Sequence, residues 1–177
     1  MRFTELALPG VYQIDLEPHY DERGFFARTW CRDEFARRGL QGDFVQCSLS
    51  FNREAGTLRG MHFQAEPYQE VKLVRCTKGA IFDVLVDLRQ ASPTYKHWIG
   101  VELTAESHRT LYVPQGVAHG FQTLRPESEV YYQISTEYVR EASRGLRWDD
   151  PAIGIVWPPC DQRVISERDR QFADYLG

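Results

Sequence analysis

Polar side chains capable of proton chemistry interrupt two stretches of the chain that otherwise read as β-strand. In Gly56–Lys72, GTLRGMHFQAEPYQEVK, they are Arg59, His62, Gln64, Glu70 and Lys72; in LYVPQGVAHGF it is His119. With Tyr132, from EVYYQIS, the set offers a base near neutral pH, a weak phenolic acid and fixed positive charge. That combination suits removal of a proton from carbon beside a carbonyl. A neutral histidine takes the proton, Lys72 stabilises the developing enolate oxygen, and Tyr132 returns a proton elsewhere. Acid–base assistance of this kind contributes roughly 10²–10⁴-fold per step. An imidazole base also needs a carboxylate to fix its tautomer, and either Asp83 or Asp169 could supply it.

Each residue also has a plainer reading. Tyr132 alone fits a core tyrosine with a satisfied hydroxyl, and Lys72 an edge-strand charge. Asp169, in the mixed-charge run SERDR, fits a surface position; Tyr138 and the pair Phe25–Phe26 fit core or dimer packing. What favours a site is the clustering: two histidines at glycine-flanked strand ends, with lysine and arginine close by in the chain.

The elements that must position these groups are short and β-rich. From Phe44 to Trp157 the runs FVQCSLSF, KLVRC, AIFDVLVDL, HWIGVEL, TLYVP, HGFQTL and EVYYQIS are separated by NREAG, TKG, SPTY, PQG and RPES. Such strands without intervening helices predict an all-β antiparallel sandwich or barrel, most simply a jelly roll. Nearer the N-terminus, GVYQIDL reads as a strand, EPHYDERG as a polar turn, and Asp33 to Arg38 as a helix stopped by Gly39. The tail DQRVISERDRQF reads as a short helix or an extended arm on the barrel. Period-two alternation turns Val130, Tyr132 and Ile134 to one face and Val117, His119 and Phe121 to another inward face. For AIFDVLVDL both phases remain open, Phe82/Val84/Val86 or Ile81/Asp83/Leu85. Arg59 and His62, three apart, would point oppositely on an ideal strand unless Gly60 bends it.

Composition narrows the classes. A chain of 177 residues fits one domain with a substantial core. Its net charge of −4 provides no basic field for nucleic acid. The four cysteines, Cys31, Cys47, Cys76 and Cys160, are scattered and read as reduced thiols. No apolar run approaches the ~20 residues that span a bilayer, and Met1–Gly10 lacks a signal-type apolar region. The expectation is a cytoplasmic protein with no membrane partner.

In order along the chain, the segments DERGFF, GTLRGMHFQ, KLVRCTKGAIFDVLVDLRQASPTY, VPQGVAHGFQTL, EVYYQIS, LRWDDPAIGIVWP and VISERD resemble those of the dTDP-4-dehydrorhamnose 3,5-epimerases and related nucleotide-sugar epimerases. The resemblance covers nearly the whole length. It implies a cupin-type double-stranded β-helix (jelly roll) with short peripheral helices, in one domain over residues 1–177. It also implies a homodimer exchanging N-terminal strands, a C-terminal arm or helix over 161–177, and no cofactor or metal. The implied reaction is C3 and/or C5 epimerisation of a nucleoside-diphosphate 4-keto-6-deoxy sugar, in deoxysugar or surface-polysaccharide biosynthesis.

Carried over by position, the resemblance makes His62 the base, Asp169 its carboxylate partner, Tyr132 the proton donor and Lys72 the enolate stabiliser. His119 and Asp83 become a second polar pair, and Arg59 a diphosphate contact. Arg23 and Gln46 fall on nucleotide-binding positions, with Arg23 reaching the partner's site, and Tyr138 stacks on the base. Four positions depart from the family pattern: Arg28 replaces a glutamate, Ser48 an asparagine, Ser143 an acidic residue and Arg168 a lysine. All belong to the binding shell, so retained chemistry on a changed nucleotide or sugar is the expectation, with dTDP-, CDP- and GDP-linked sugars all open.

Other readings compete with this one. PQGVAH resembles half of a cupin metal motif, and His62, His119 and Glu70 could in principle hold a divalent ion in an isomerase or oxygenase. Against it, the first half of that motif reads His62-Phe63-Gln64, one histidine short. A sugar 3,4-ketoisomerase and a non-catalytic sugar-nucleotide binding module are the remaining alternatives.

Overall fold

In a computed structural model that describes residues 1–176, two antiparallel sheets pack face to face. The first sheet orders β1 (Arg2–Glu5), β2 (Tyr12–Asp15), β10 (Thr110–Val113), β7 (Lys72–Lys78), β12 (Ser128–Ile134) and β5 (Gln46–Asn52). The second orders β13 (Ser143–Gly145), β6 (Thr57–Gln64), β11 (Val117–Thr123), β8 (Ala80–Asp87) and β9 (Trp98–Thr104). From β5 to β8 and from β9 to β13 consecutive strands alternate between sheets, while β8 and β9 pair as neighbours, which is the jelly-roll arrangement expected from the density of short strands.

Inward side chains from both sheets interdigitate. Val74, Cys76, Leu111, Val113 and Val130 meet Ile81, Leu85, Leu103, Val117 and Phe121 in one buried cluster. Removing each large side chain of this kind from water contributes about 1.5–3 kcal/mol. The outer faces are covered as well. Leu146, Ile153 and Trp157 pack on Val84, Val86 and Ala118 of the second sheet. Phe35, from α1 (Arg32–Ala36), packs with Ile14, Leu73 and Tyr112 on the first.

This double coverage settles the phase of AIFDVLVDL. Ile81 and Leu85 point between the sheets and carry Asp83 with them, while Val84 and Val86 face the outer layer. Seven of the eight residues of β8 are buried, so neither face has a polar signature to read.

Some elements differ from expectation. EPHYDERG and the following phenylalanines form a hairpin, β3 (His19–Asp21) with β4 (Gly24–Phe26), joined by the two residues Glu22 and Arg23. The first helix covers Arg32–Ala36, a residue earlier at its start than the acidic signal suggested and ending short of Arg38. The tail combines both expected forms: β14 (Val164–Ile165) runs parallel to β6, and α2 (Glu167–Arg170) follows. The expected arm 161–177 ends at Gly177, which lies outside the described residues. Among the described residues, no helix is long and apolar enough to cross a membrane.

Candidate active site

The position of His62 begins with Gly60. Strands β6 and β11 pair antiparallel, with His119 opposite His62 and Phe121 opposite Arg59. Two residues, Gly60 and Met61, thus face the single Gly120, a β-bulge. Gly60 has φ +137°, and a Cβ there would lie 2.5 Å from the Cα of Gly120. Only glycine fits. The extra residue re-aims the strand, so Arg59 and His62, although three apart, line the same cavity.

That cavity has a volume of about 580 Å³. On its floor, His62 Nε2 lies 2.7 Å from Asp169 Oδ1, and Gly60 N–H donates to Asp169 Oδ2 over 3.3 Å. Asp169 is 4 % exposed. Ser166 caps α2 by accepting from Asp169 N–H, and β14 anchors that helix beside His62. Burial would raise the Asp169 carboxyl. The hydrogen bond and charge of His62, with the Gly60 N–H and Ser166, more than offset this and hold it below its ordinary value. An ionised carboxylate at Nε2 keeps the proton there and leaves the Nδ1 lone pair as the basic site. Phe172 braces the imidazole edge-on at 6.0 Å. Its ring lies over Gly145, where a Cβ would come within 2.2 Å of it.

Tyr132 enters the cavity from the opposite sheet, as its strand phase predicts. Burial, followed by the charge of Asp83 and opposed by Arg59, raises its hydroxyl well above the usual phenol range. It therefore stays protonated at neutral pH. His119 packs against Tyr132 with ring centroids 5.8 Å apart, and its Nε2 lies 2.8 Å from Asp83 Oδ1. This second pair is buried, with Asp83 fully so behind His119, which is 4 % exposed and borders the cavity. Burial pushes the Asp83 carboxyl up, against the pull of His119 and Lys72.

A smaller lobe of about 180 Å³ shares His62 and Arg168 with the main cavity and adds Gln46, Glu70, Lys72 and Tyr138. Lys72 Nζ donates to the His62 carbonyl over 3.3 Å. Gln46 Oε1 accepts from the Tyr138 N–H at 3.2 Å, which leaves the Tyr138 ring exposed at the lobe's mouth. Arg168 and Ser143, both departures from the family pattern, touch each other: the guanidinium donates to Ser143 Oγ at 2.7 Å. Arg59 is held by Asn52 Oδ1 at 2.7 Å.

Not every expected residue reaches this place within one chain. Arg23 sits on the tip of the β3–β4 hairpin, exposed and paired with Asp21. Arg28 faces Glu34 of α1 at 3.6 Å. Ser48 is exposed on edge strand β5, opposite Tyr132 in register. Sequence reasoning missed Asn52, Phe172 and the capping role of Ser166; the S-x-x-D spacing of the cap was the available signal.

The metal reading finds no support in the donor set. Both histidines direct Nε2 at a carboxylate, Glu70 pairs with Lys72, and no three His, Cys, Asp or Glu side chains converge among the described residues. A separate cavity of about 650 Å³ is lined by Glu54, Gln122 and Cys160 among others, and by no histidine, lysine or arginine.

Comparison with known proteins agrees with this geometry. Residues 5–175 match the family model of dTDP-4-dehydrorhamnose 3,5-epimerase. The dTDP-4-dehydrorhamnose 3,5-epimerase of Sinorhizobium fredii is 44 % identical over 96 % of this chain and 87 % of its own. The crystal structure of the Elizabethkingia anophelis enzyme superposes with a TM-score of 0.96 at 33 % identity, over 99 % of this chain and 96 % of that one. The Bacillus anthracis enzyme, solved with TDP and PPi bound, gives 0.93 at 37 % identity, over 98 % and 99 %. The chain belongs to the dTDP-4-dehydrorhamnose 3,5-epimerase family and is an isomerase.

Proposed function

We propose that this protein epimerises a nucleoside-diphosphate-linked 4-keto-6-deoxy sugar at C3, C5 or both, without a cofactor. One observation carries the reading: the His62–Asp169 dyad and the protonated Tyr132 face one cavity from opposite sheets. A sugar ring between them presents opposite faces to a base and an acid, which is what inversion at carbon requires.

The C4 ketone acidifies the neighbouring C–H bonds. His62 Nδ1 takes a proton from C3 or C5, the electron pair moves to the ketone oxygen, and Lys72 stabilises that enolate. Tyr132 then delivers its proton to the same carbon from the other face, restoring the ketone with inverted configuration. Asp169 stabilises the imidazolium formed in the first step and fixes its ring. The His119–Asp83 pair supports Tyr132 from behind. In this reading Arg59 and Arg168, which line the cavity, bind the diphosphate and sugar, and Gln46 and Tyr138 bind the nucleotide base; the TDP and PPi held by the Bacillus anthracis relative are ligands of that kind.

The working unit is a homodimer in the cytoplasm, assembled through exchanged N-terminal strands. Its support is the apolar hairpin, whose Tyr20 and Phe26 are 76 % and 77 % exposed, together with exposed Leu49 and Phe51 on edge strand β5. Arg23, at the hairpin tip, then completes the partner's site. Sedimentation should give twice the chain mass. Mixing inactive Arg23→Ala with inactive His62→Ala protein, after co-refolding, should restore activity in the hybrid. A monomer with full activity contradicts the dimer reading.

A further inference from the structure

Glu70 lies two residues before Lys72, so in extended chain both side chains point the same way, while Val71 between them packs into the outer apolar layer. Its carboxylate Oε1 is 2.9 Å from Lys72 Nζ, with the side chains 7 % and 11 % exposed. Its other oxygen, Oε2, is buried without a hydrogen-bond partner among the described residues. A buried ion pair with an orphaned oxygen is a poor stabilising device, since an apolar pair of similar volume does as well or better. The carboxylate is explained by what it does to the ammonium.

We propose that Glu70 is the positioning residue for Lys72. The carboxylate and the His62 carbonyl together hold the ammonium in the smaller lobe, beside the His62 backbone. An ammonium has three donors. Held at two points, Lys72 retains donor capacity for a ligand oxygen in the lobe it lines, and its long flexible stem is fixed before substrate arrives. Preorganising a cation where enolate charge develops is what makes it effective in the transition state. Glu70 touches no substrate in this account; it acts through Lys72 alone.

The proposal rests on the epimerase reading, and the test separates the two. Solvent-deuterium exchange into the 4-keto sugar by the wild-type dimer, lost in His62→Ala, establishes the reaction first. Absence of exchange in the wild type defeats that reading, not the positioning role. Kinetics of Glu70→Gln are then measured alone and in a Lys72→Ala background. In the wild-type background kcat should fall up to about a hundredfold, the scale of a mispositioned group, with KM little changed. In the Lys72→Ala background the same substitution should cost nothing further, because its partner is gone. An equal loss in both backgrounds, an effect on KM alone, or unchanged kcat overturns the proposal. If Glu70→Gln does not fold, Glu70→Asp, one methylene short of the ammonium, is read by the same criteria.

Discussion

His62 and His119 stand opposite each other in register on adjacent strands, yet each pairs through Nε2 with its own carboxyl group, Asp169 at 2.7 Å and Asp83 at 2.8 Å. The first pair is half-open to solvent, with the His62 side chain 38 % exposed; in the second, His119 borders the same cavity but both side chains are buried. The two pairs should therefore fail differently. His62→Ala should abolish exchange at the smaller stability cost, because the His62 ring is half-exposed and the buried Asp169 carboxylate keeps the Gly60 N–H as a partner. His119→Ala strands a buried carboxylate and should cost about 3–5 kcal/mol. Urea denaturation of the two variants compares them; equal losses contradict the division.

Tyr132→Phe separates abstraction from inversion. His62 remains to remove the proton, but the opposite face loses its donor. The variant should still incorporate deuterium with retention, while the yield of inverted product falls roughly 10²–10⁴-fold. Proton NMR of the sugar distinguishes labelled starting isomer from labelled epimer. Undiminished inversion removes Tyr132 from the role of acid.

Gly60→Ala should disable the site without touching a functional side chain. Its new methyl meets the Gly120 backbone at 2.5 Å and occupies a φ of +137°. Strain in such a backbone region costs about 1–3 kcal/mol before the clash is counted. Relief by flattening the bulge would turn His62 away from Asp169. The expected result is a lower unfolding midpoint and lost activity; wild-type stability and rate would show that the bulge is dispensable.

Asp87 ties down the loop after β8. It is fully buried and accepts from Arg89 N, Nε and Nη2, Ser92 Oγ and Thr94 Oγ1. Burial raises its carboxyl, but Arg89 and the two hydroxyls more than offset this and hold it far below its ordinary value. The folded state therefore resists protonation that the unfolded chain accepts. The stabilisation is complete above the ordinary carboxylate range and is lost as pH falls below it toward the depressed folded value. Asp87→Asn should be less stable at neutral pH and should show a flatter acid limb in denaturant titrations. An unchanged acid limb contradicts this.

Much of this was legible where one face of a strand is polar and the other apolar. Tyr132 and His119 were placed inside by alternation alone, and both lie there. Alternation failed on β8, because layers cover both its faces and Asp83 hides among apolar neighbours. It also failed between Arg59 and His62, where a bulge adds one residue to the period. The β3–β4 hairpin read as a turn because its aromatics stay exposed and no alternating core face marks it. Residues alone left the base's partner open between Asp83 and Asp169: Asp169 lies in an ordinary charged run, and its place depends on a two-residue parallel pairing with β6. The Arg168–Ser143 contact joins two positions 25 apart in sequence, a relation no local pattern contains.

Proton exchange at carbon beside a ketone should depend on His62. The most direct measurement is proton NMR in deuterium oxide with dTDP-, CDP- and GDP-linked 4-keto-6-deoxy hexoses, for the wild type and His62→Ala. The C3 or C5 proton signal should disappear with at least one donor in the wild type and persist with His62→Ala. Exchange at the wild-type rate in His62→Ala, or none with any donor in the wild type, contradicts it.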